Sequence, residues 1–526
     1  MIPLTRALDL GADRTRMKNR SDVERQNETA RVLLDRLYNE QSSGFLQLQL
    51  LADEVGMGKT FVALAVAYSV LQAQQQETAL AGCYGKVLVL VPQNEELKRK
   101  WHREVGEVVK RCSRPGHRDA VAALFRAKTV ERPDELVAAL RSGNESVVVA
   151  KTSAIGAQVT HRELKERLTL AALFRDFGRA LPLETREILL KNAGDGWPKD
   201  PSALRLTKQE EGLLPLQAAM IEQAIRAAAQ QAEFRSERDK ILALCKEWGS
   251  HGVRGRTEGF KVIRHKALEF YKTAVWTLLA SDLPLVIVDE AHQWKHKKNG
   301  FTAFDSYIAP RTRRVLLLTA TPFQLHRSEI LTLLAVGDSL KLTKNQLQGL
   351  ADARDRAVKP ALERAHAEGA MFSQKWSKLG SRLEPEALRD VWGSDSLRAA
   401  REKLVALARE PGALEERAVE QVVESIRLAV PVELRDLVCQ ALRLYAFNRD
   451  LGDELGRFVV RHRRSTQHRV VRAGHEIDQA SNVVQKRPDA HVLHPAPGLD
   501  VRGDDELPLY LLMRATSELE DGKRTA

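Results

Sequence analysis

Between residues 45 and 155, short apolar runs alternate with stretches whose apolar positions recur three and four apart. This is the pattern of a parallel sheet whose strands are joined by crossover helices. FLQLQLLA (45–52), KVLVLV (86–91) and SVVVA (146–150) predict strands. PLVIV (284–288) and RVLLL (314–318) predict two more, after a gap too long for a simple crossover. That gap, 156–280, predicts a helical insertion: Ile221, Ile225 and Ala228, then Ile241, Leu244, Cys245 and Trp248, keep the spacing of one buried helix face. A second helical block is expected over about 335–450, with Leu434, Leu437, Val438, Ala441, Leu442 and Tyr445 as its stripe. Both stripes favour packed accessory structure over a binding site. From Gly474 to Pro508 the chain gathers Pro, Gly and Asp with little periodicity, as a linker would.

Composition narrows the class. A chain of 526 residues is too long for one compact core. Apolar content of 43% with 29% charged residues is that of a soluble globular protein. No apolar run approaches the roughly 18 residues that would suggest a membrane span, so no membrane role is expected. The opening MIPLTRALDLGADRTRMKNR is broken by charge before a secretory apolar region could form. Cys83, Cys112, Cys245 and Cys439 lie far apart, which argues against a zinc site or a disulfide framework and leads us to expect the cytoplasm. The net charge of +12 favours a polyanionic partner, although solubility alone would account for it.

The candidate chemistry lies where predicted strands end. LLADEVGMGKT (50–60) follows a strand and opens an apolar helix, the context of a phosphate-binding loop. Gly56 and Gly58, with Met57 between them, let the backbone curl its N–H groups around an anion at a helix N-terminus. Lys59 would then sit against the β- and γ-phosphates of ATP, and Thr60 would give its hydroxyl to Mg²⁺. The strict pattern wants glycine where Asp53 stands, and a tight strand-to-helix turn is the alternative. PLVIVDEAH (284–292) puts Asp289 and Glu290 where a buried strand emerges at its carboxyl end, the edge on which open α/β sheets bind ligands. Asp289 can hold Mg²⁺ and Glu290 can orient and deprotonate an attacking water. An N-cap is the alternative for Asp289 alone. The next strand ends in Thr319, Ala320, Thr321 and Pro322, small groups able to hydrogen-bond towards the acidic segment and its His292.

Taken in order, ADEVGMGKT, KVLVLVPQNEELKRKWHREV, VVVAKTS, VIVDEAH and LLLTATPFQLHRSEILTLL resemble the motor motifs of superfamily-two helicases, most closely the Swi/Snf-type DNA translocases. That group normally carries the acidic residue found here as Asp53, and has a Gln and a Glu where Gln324 and Glu329 stand. The resemblance implies an α/β fold, a RecA-like lobe with a mostly parallel sheet and helices on both faces; of the two large helical insertions, the block at 335–450 stands where that group carries a protrusion, whereas the one at 156–280 is not typical of it. It divides the chain into an N-terminal helical segment (1–44), a first part of the lobe (45–155), a helical insertion (156–280), a second part (281–334), a helical protrusion with a basic segment (335–473) and a linker (474–526). It implies that Pro92 and Trp101, and again Thr152 and Ser153, lie in segments following a nucleic-acid backbone. Amphipathic packing is the alternative for Trp101. It also makes Gln26, in VERQNETARVLLDRL (23–37), a reader of adenine, where a helix-surface glutamine is the alternative. FVVRHRRSTQHR (458–469) looks like the family's arginine-rich segment before a second lobe, or like a solvated basic helix.

The implied activity is ATP hydrolysis coupled to movement on nucleic acid, chiefly double-stranded DNA. No second lobe is legible in the sequence, so its charge-stabilising arginines are expected from a following segment or another chain. An arginine finger is worth about 10³- to 10⁵-fold in turnover, so the isolated chain should bind ATP weakly and hydrolyse it barely. Two alternatives stand beside the translocase: an unwinding helicase on DNA or RNA, and a nucleotide-binding scaffold without motor activity.

Overall fold

A computed structural model describes residues 1–13, 20–42, 44–53, 56–76, 80, 82–177, 206–248, 253–296, 299–319, 327–379, 390–408 and 414–460. Its centre is one seven-stranded sheet in which every pairing is parallel. The strands are β1 (Leu48–Leu51), β2 (Val87–Val91), β3 (Ala127–Val130), β4 (Val147–Lys151), β5 (Leu285–Val288), β6 (Val315–Leu318) and β7 (Val459–Val460), in the order β3-β4-β2-β5-β6-β1-β7. Five of these are the strands expected from the apolar runs. A parallel sheet covered on both faces is the α/β architecture of a RecA-like lobe.

Alternation along the strands sends side chains to two cores. Leu51, Val87, Val89, Val91, Val147, Val149, Ile287, Leu316 and Leu318 face helices α1 (Arg20–Tyr38), α2 (Lys59–Gln76), α3 (Glu95–Cys112) and α4 (Arg118–Leu124). Leu48, Leu50, Leu88, Leu90, Val148, Val286, Val288, Val315 and Leu317 face α5 (Pro133–Arg141) and everything the two helical blocks contribute. Helix α2 is buried almost all round, from Phe61 to Leu71, as a helix sandwiched between sheet and helices must be. Residues 1–13 are not helical: Leu8 forms an antiparallel bridge with Ser113, and Leu8 and Leu10 join the core beneath α1.

Between β4 and β5 the chain runs through α6 (Arg162–Phe177), a one-turn helix at Lys208–Glu211, α7 (Ala218–Gln230), α8 (Ala232–Trp248) and α9 (Val253–Trp276). Ile221, Ile225, Ala228, Ile241 and Cys245 are buried as the stripe predicts, while Leu244 is only partly so. The later block includes α10 (Lys359–Leu379), α11 (Asp395–Ala408), α12 (Glu416–Ile426) and α13 (Arg435–Gly456), and the whole stripe from Leu434 to Tyr445 is buried. This block does not simply lead away from the sheet. Phe458–Val460, expected to open a basic segment, instead lie beside β1, with Leu50 N–H donating to the Phe458 carbonyl at 2.7 Å and Ala52 N–H to Val460 at 2.9 Å. Phe458, Val459 and Val460 are all buried, as apolar side chains at the sheet's end should be. The rest of the basic segment and the 474–526 linker lie outside the described residues.

Candidate nucleotide site

The registers Leu51↔Leu318, Leu317↔Val288 and Leu90↔Val288 bring the carboxyl ends of β1, β6, β5 and β2 level. The glycine turn leaves β1, the acidic pair leaves β5, and Thr319 ends β6 between them.

In the glycine turn, Gly56 and Gly58 take φ of 80° and 90°, conformations that side-chain-bearing residues rarely adopt. A Cβ on Gly58 would also stand 2.2 Å from the Gln26 amide nitrogen. Helix α1 lies directly on this turn. Gln26 Nε2 donates to the Met57 carbonyl at 3.0 Å, and Arg25 donates to the same carbonyl at 3.0 Å and to Asp53 Oδ2 at 3.3 Å. Asp53 is completely buried, so the residue that breaks the strict phosphate-loop pattern is an anchor for the turn. Gln26, only 2% exposed, is bound to the loop backbone rather than presented on a helix surface. Arg25 carried no signal in the sequence, since an arginine on an amphipathic helix is ordinary. Lys59 Nζ donates to the Asp53 carbonyl at 2.6 Å, across the turn. Burial lowers the Lys59 pKa, against the pull of Asp53, Glu290 and Asp289. Thr60 follows at the second position of α2, half-buried.

Asp289 extends the ladder one residue past β5, its N–H donating to the Leu90 carbonyl at 2.8 Å. Its two carboxylate oxygens are held separately: Oδ1 accepts the Glu290 N–H at 2.9 Å and Oδ2 accepts the Trp101 indole N–H at 2.7 Å. Glu290 sits at φ 49°, a left-handed conformation costing of order 1–3 kcal/mol for a non-glycine residue. Burial raises the pKa of Asp289, and burial followed by the Asp289 charge raises that of Glu290. A carboxylate so tuned is a better proton acceptor near neutral pH than an ordinary glutamate. His292 Nδ1 lies 3.2 Å from Glu290 Oε2 and 3.4 Å from the Thr319 hydroxyl, so the imidazole bridges the acidic turn to the end of β6. Ala320, Thr321, Pro322 and Gln324 lie outside the described residues, as does the side chain of Glu329.

Of the four expected nucleic-acid contacts, two are accessible. Thr152 and Ser153 are half-exposed in the turn Thr152–Ile155 that leaves β4 at this same edge. Pro92 is buried. Trp101 has 0% exposure, so its ring packs inside the protein. Trp101, Val105, Val108 and Cys112 form the buried stripe of α3, and that packing turns the indole inward.

These residues fit a triphosphate and its magnesium. The turn holds glycines at two positive-φ positions and feeds the N-terminus of an 18-residue helix. The oxygen donors Thr60 and Asp289 suit a hard cation, and Lys59 feels the field of both carboxylates. No curated protein matches the chain in sequence. Residues 23–174, from α1 through the glycine turn, α3 and β4 to α6, match the family described as type III restriction enzyme, res subunit, a superfamily-two helicase-type ATP-binding domain.

Proposed function

We propose that this chain is the ATP-binding lobe of a nucleic-acid-dependent motor, a Swi/Snf-like translocase on double-stranded DNA that works when a second lobe, in this chain or another, closes over the nucleotide. The observation that carries this is the meeting of Lys59, Asp289 and Glu290 at one sheet edge, each within the electrostatic field of the others. In this reading Gly56, Met57, Gly58, Lys59 and Thr60 hold the phosphates of ATP. Thr60 and Asp289 hold Mg²⁺, which would supply charge neutralisation at the transferring phosphoryl group. Glu290 takes the proton of the attacking water. His292 and Thr319 pass the state of Glu290 to β6 and the residues after it, and Thr152 and Ser153 grip the polymer backbone.

The matched family's name supports a DNA substrate in restriction or a related defence against foreign DNA. The test has two arms. Fluorescent ATP should bind the wild-type chain weakly and Lys59→Ala not at all. ATP hydrolysis should be barely measurable alone and rise with duplex DNA once a second lobe is supplied, with affinity falling steeply with salt and little dependence on base sequence. Equal binding by Lys59→Ala would remove the nucleotide site. Strand displacement past a blocked duplex would replace tracking by unwinding. Biological activity indifferent to both Lys59→Ala and Glu290→Gln would leave a scaffold.

A further inference from the structure

The indole of Trp101 is the one polar group on the buried stripe of α3 that reaches the site. Trp101 and Asp289 are 188 residues apart in sequence. A buried indole N–H needs an acceptor, and this one takes a carboxylate oxygen at 2.7 Å while the neighbouring Glu290 N–H takes the other at 2.9 Å. With one donor on each oxygen, rotation of the carboxylate is fixed, and each oxygen keeps lone-pair capacity for a further partner. Among the described residues, no lysine or arginine comes within ion-pair distance of Asp289. The indole donor is neutral, and it holds the carboxylate without competing in charge with a cation.

The same helix is tied at its N-terminus to the end of β4, next to Thr152. Glu95, in the first turn of α3, accepts from Lys151 at 2.7 Å and from Lys98 at 3.0 Å. Lys98, 3% exposed, also pairs with Glu131 at 2.6 Å. Helix α3 is thus fastened to the end of β4 by ion pairs and to the acidic strand end by the indole.

Building on the nucleotide reading above, we propose that Trp101 is a positioning residue for Asp289, fixing the orientation in which that carboxylate meets the magnesium ion. Outer partners of metal-holding groups are typically worth about 10- to 100-fold in metal affinity. Loss of the N–H should therefore appear in the magnesium requirement rather than in nucleotide binding as such.

The experiment measures binding of a fluorescent N-methylanthraniloyl ATP to the full chain while MgCl₂ is titrated, and again in EDTA. Trp101→Phe should raise the half-saturating magnesium concentration about tenfold and leave binding in EDTA within about twofold of wild type. Val105→Ala, one turn along the same buried stripe, should lower the melting temperature without moving the magnesium midpoint. If Trp101→Phe does not fold, 3-benzothienylalanine at position 101 keeps the bicyclic shape and lacks the N–H, and should give the same magnesium shift. An unchanged midpoint in the N–H-deficient variant, or an equal shift in Val105→Ala, overturns the role of Trp101 and leaves the nucleotide site intact. Lys59→Ala should lose binding in both conditions. Wild-type protein that binds no nucleotide in either condition overturns the site itself, and this role with it.

Discussion

Among the places where the described residues bury charge, two do it in opposite ways. Where α5 meets α6 and α9, charges are matched. Lys165 and Asp134, both with fully buried side chains, form an ion pair, and Tyr271 donates to the same Asp134 carboxylate at 3.3 Å. The next two residues of α6 continue the pattern: Glu166 accepts from Arg264 at 2.6 Å and Arg167 donates to Glu210 at 2.7 Å. At the carboxyl edge, by contrast, Asp289 and Glu290 are held side by side, and Lys59 bonds a backbone carbonyl instead of either of them. The first arrangement uses its charges to join the helical insertion to α5 and its own helices to one another. The second keeps like charges adjacent, at an energetic cost that a bound cation would relieve. Paired charge builds the fold, and charge held at a cost marks the place reserved for a ligand.

The largest effect expected from disturbing this contrast is on turnover. Glu290→Gln keeps the shape of the turn and removes the proton acceptor. It should reduce second-lobe-stimulated ATP hydrolysis by about 10²- to 10⁴-fold while fluorescent-ATP binding persists. A fall smaller than about tenfold would mean that Glu290 is not the base.

Next in size is the matched pair. Lys165→Met strands Asp134 and should cost about 3–5 kcal/mol in urea unfolding, whereas Lys165→Met with Asp134→Leu and Tyr271→Phe should return to within about 1–2 kcal/mol of wild type or exceed it. Equal losses in the single and the triple variant would show that these charges stabilise the insertion outright.

How much of this contrast could be read from the sequence follows from the range of the forces involved. The glycine turn and the acidic pair are local: a strand, a few residues and a helix specify each, so both motifs and five strands were legible. Strand β3 was missed because it lies at the sheet edge. Within AKTV only Val130 is buried, so no apolar run announces it. Strand β7 was missed because two valines beside a run of arginines read as basic segment. The contacts of Arg25 with Asp53, and of Trp101 with Asp289, join residues 28 and 188 positions apart. No pattern of neighbours encodes such contacts. For Trp101 the sequence left packing and polymer contact in balance, and the buried face of α3 decides for packing.

The smallest predicted effect is the most direct measure of charge held at a cost, and it uses the same Glu290→Gln variant. Burial and the adjacent Asp289 charge raise the Glu290 pKa in the folded chain above its ordinary value of 4.5. Once pH exceeds that ordinary value, the unfolded chain loses the proton more readily than the folded one. Stability therefore falls as pH climbs from 4.5 to the folded-state pKa, and the penalty is fully present above it. A neutral glutamine carries no such penalty. At pH 7, without nucleotide or magnesium, Glu290→Gln should melt about 1–3 °C higher than wild type. The difference should close as pH is lowered towards about 4, where both side chains are neutral. Magnesium and nucleotide should close it from the other direction, by adding positive charge beside the wild-type carboxylates. A variant that melts lower than wild type at pH 7 would mean that the His292 contact outweighs burial and repulsion, and the carboxyl edge would then be as well matched as the α5–α6 junction.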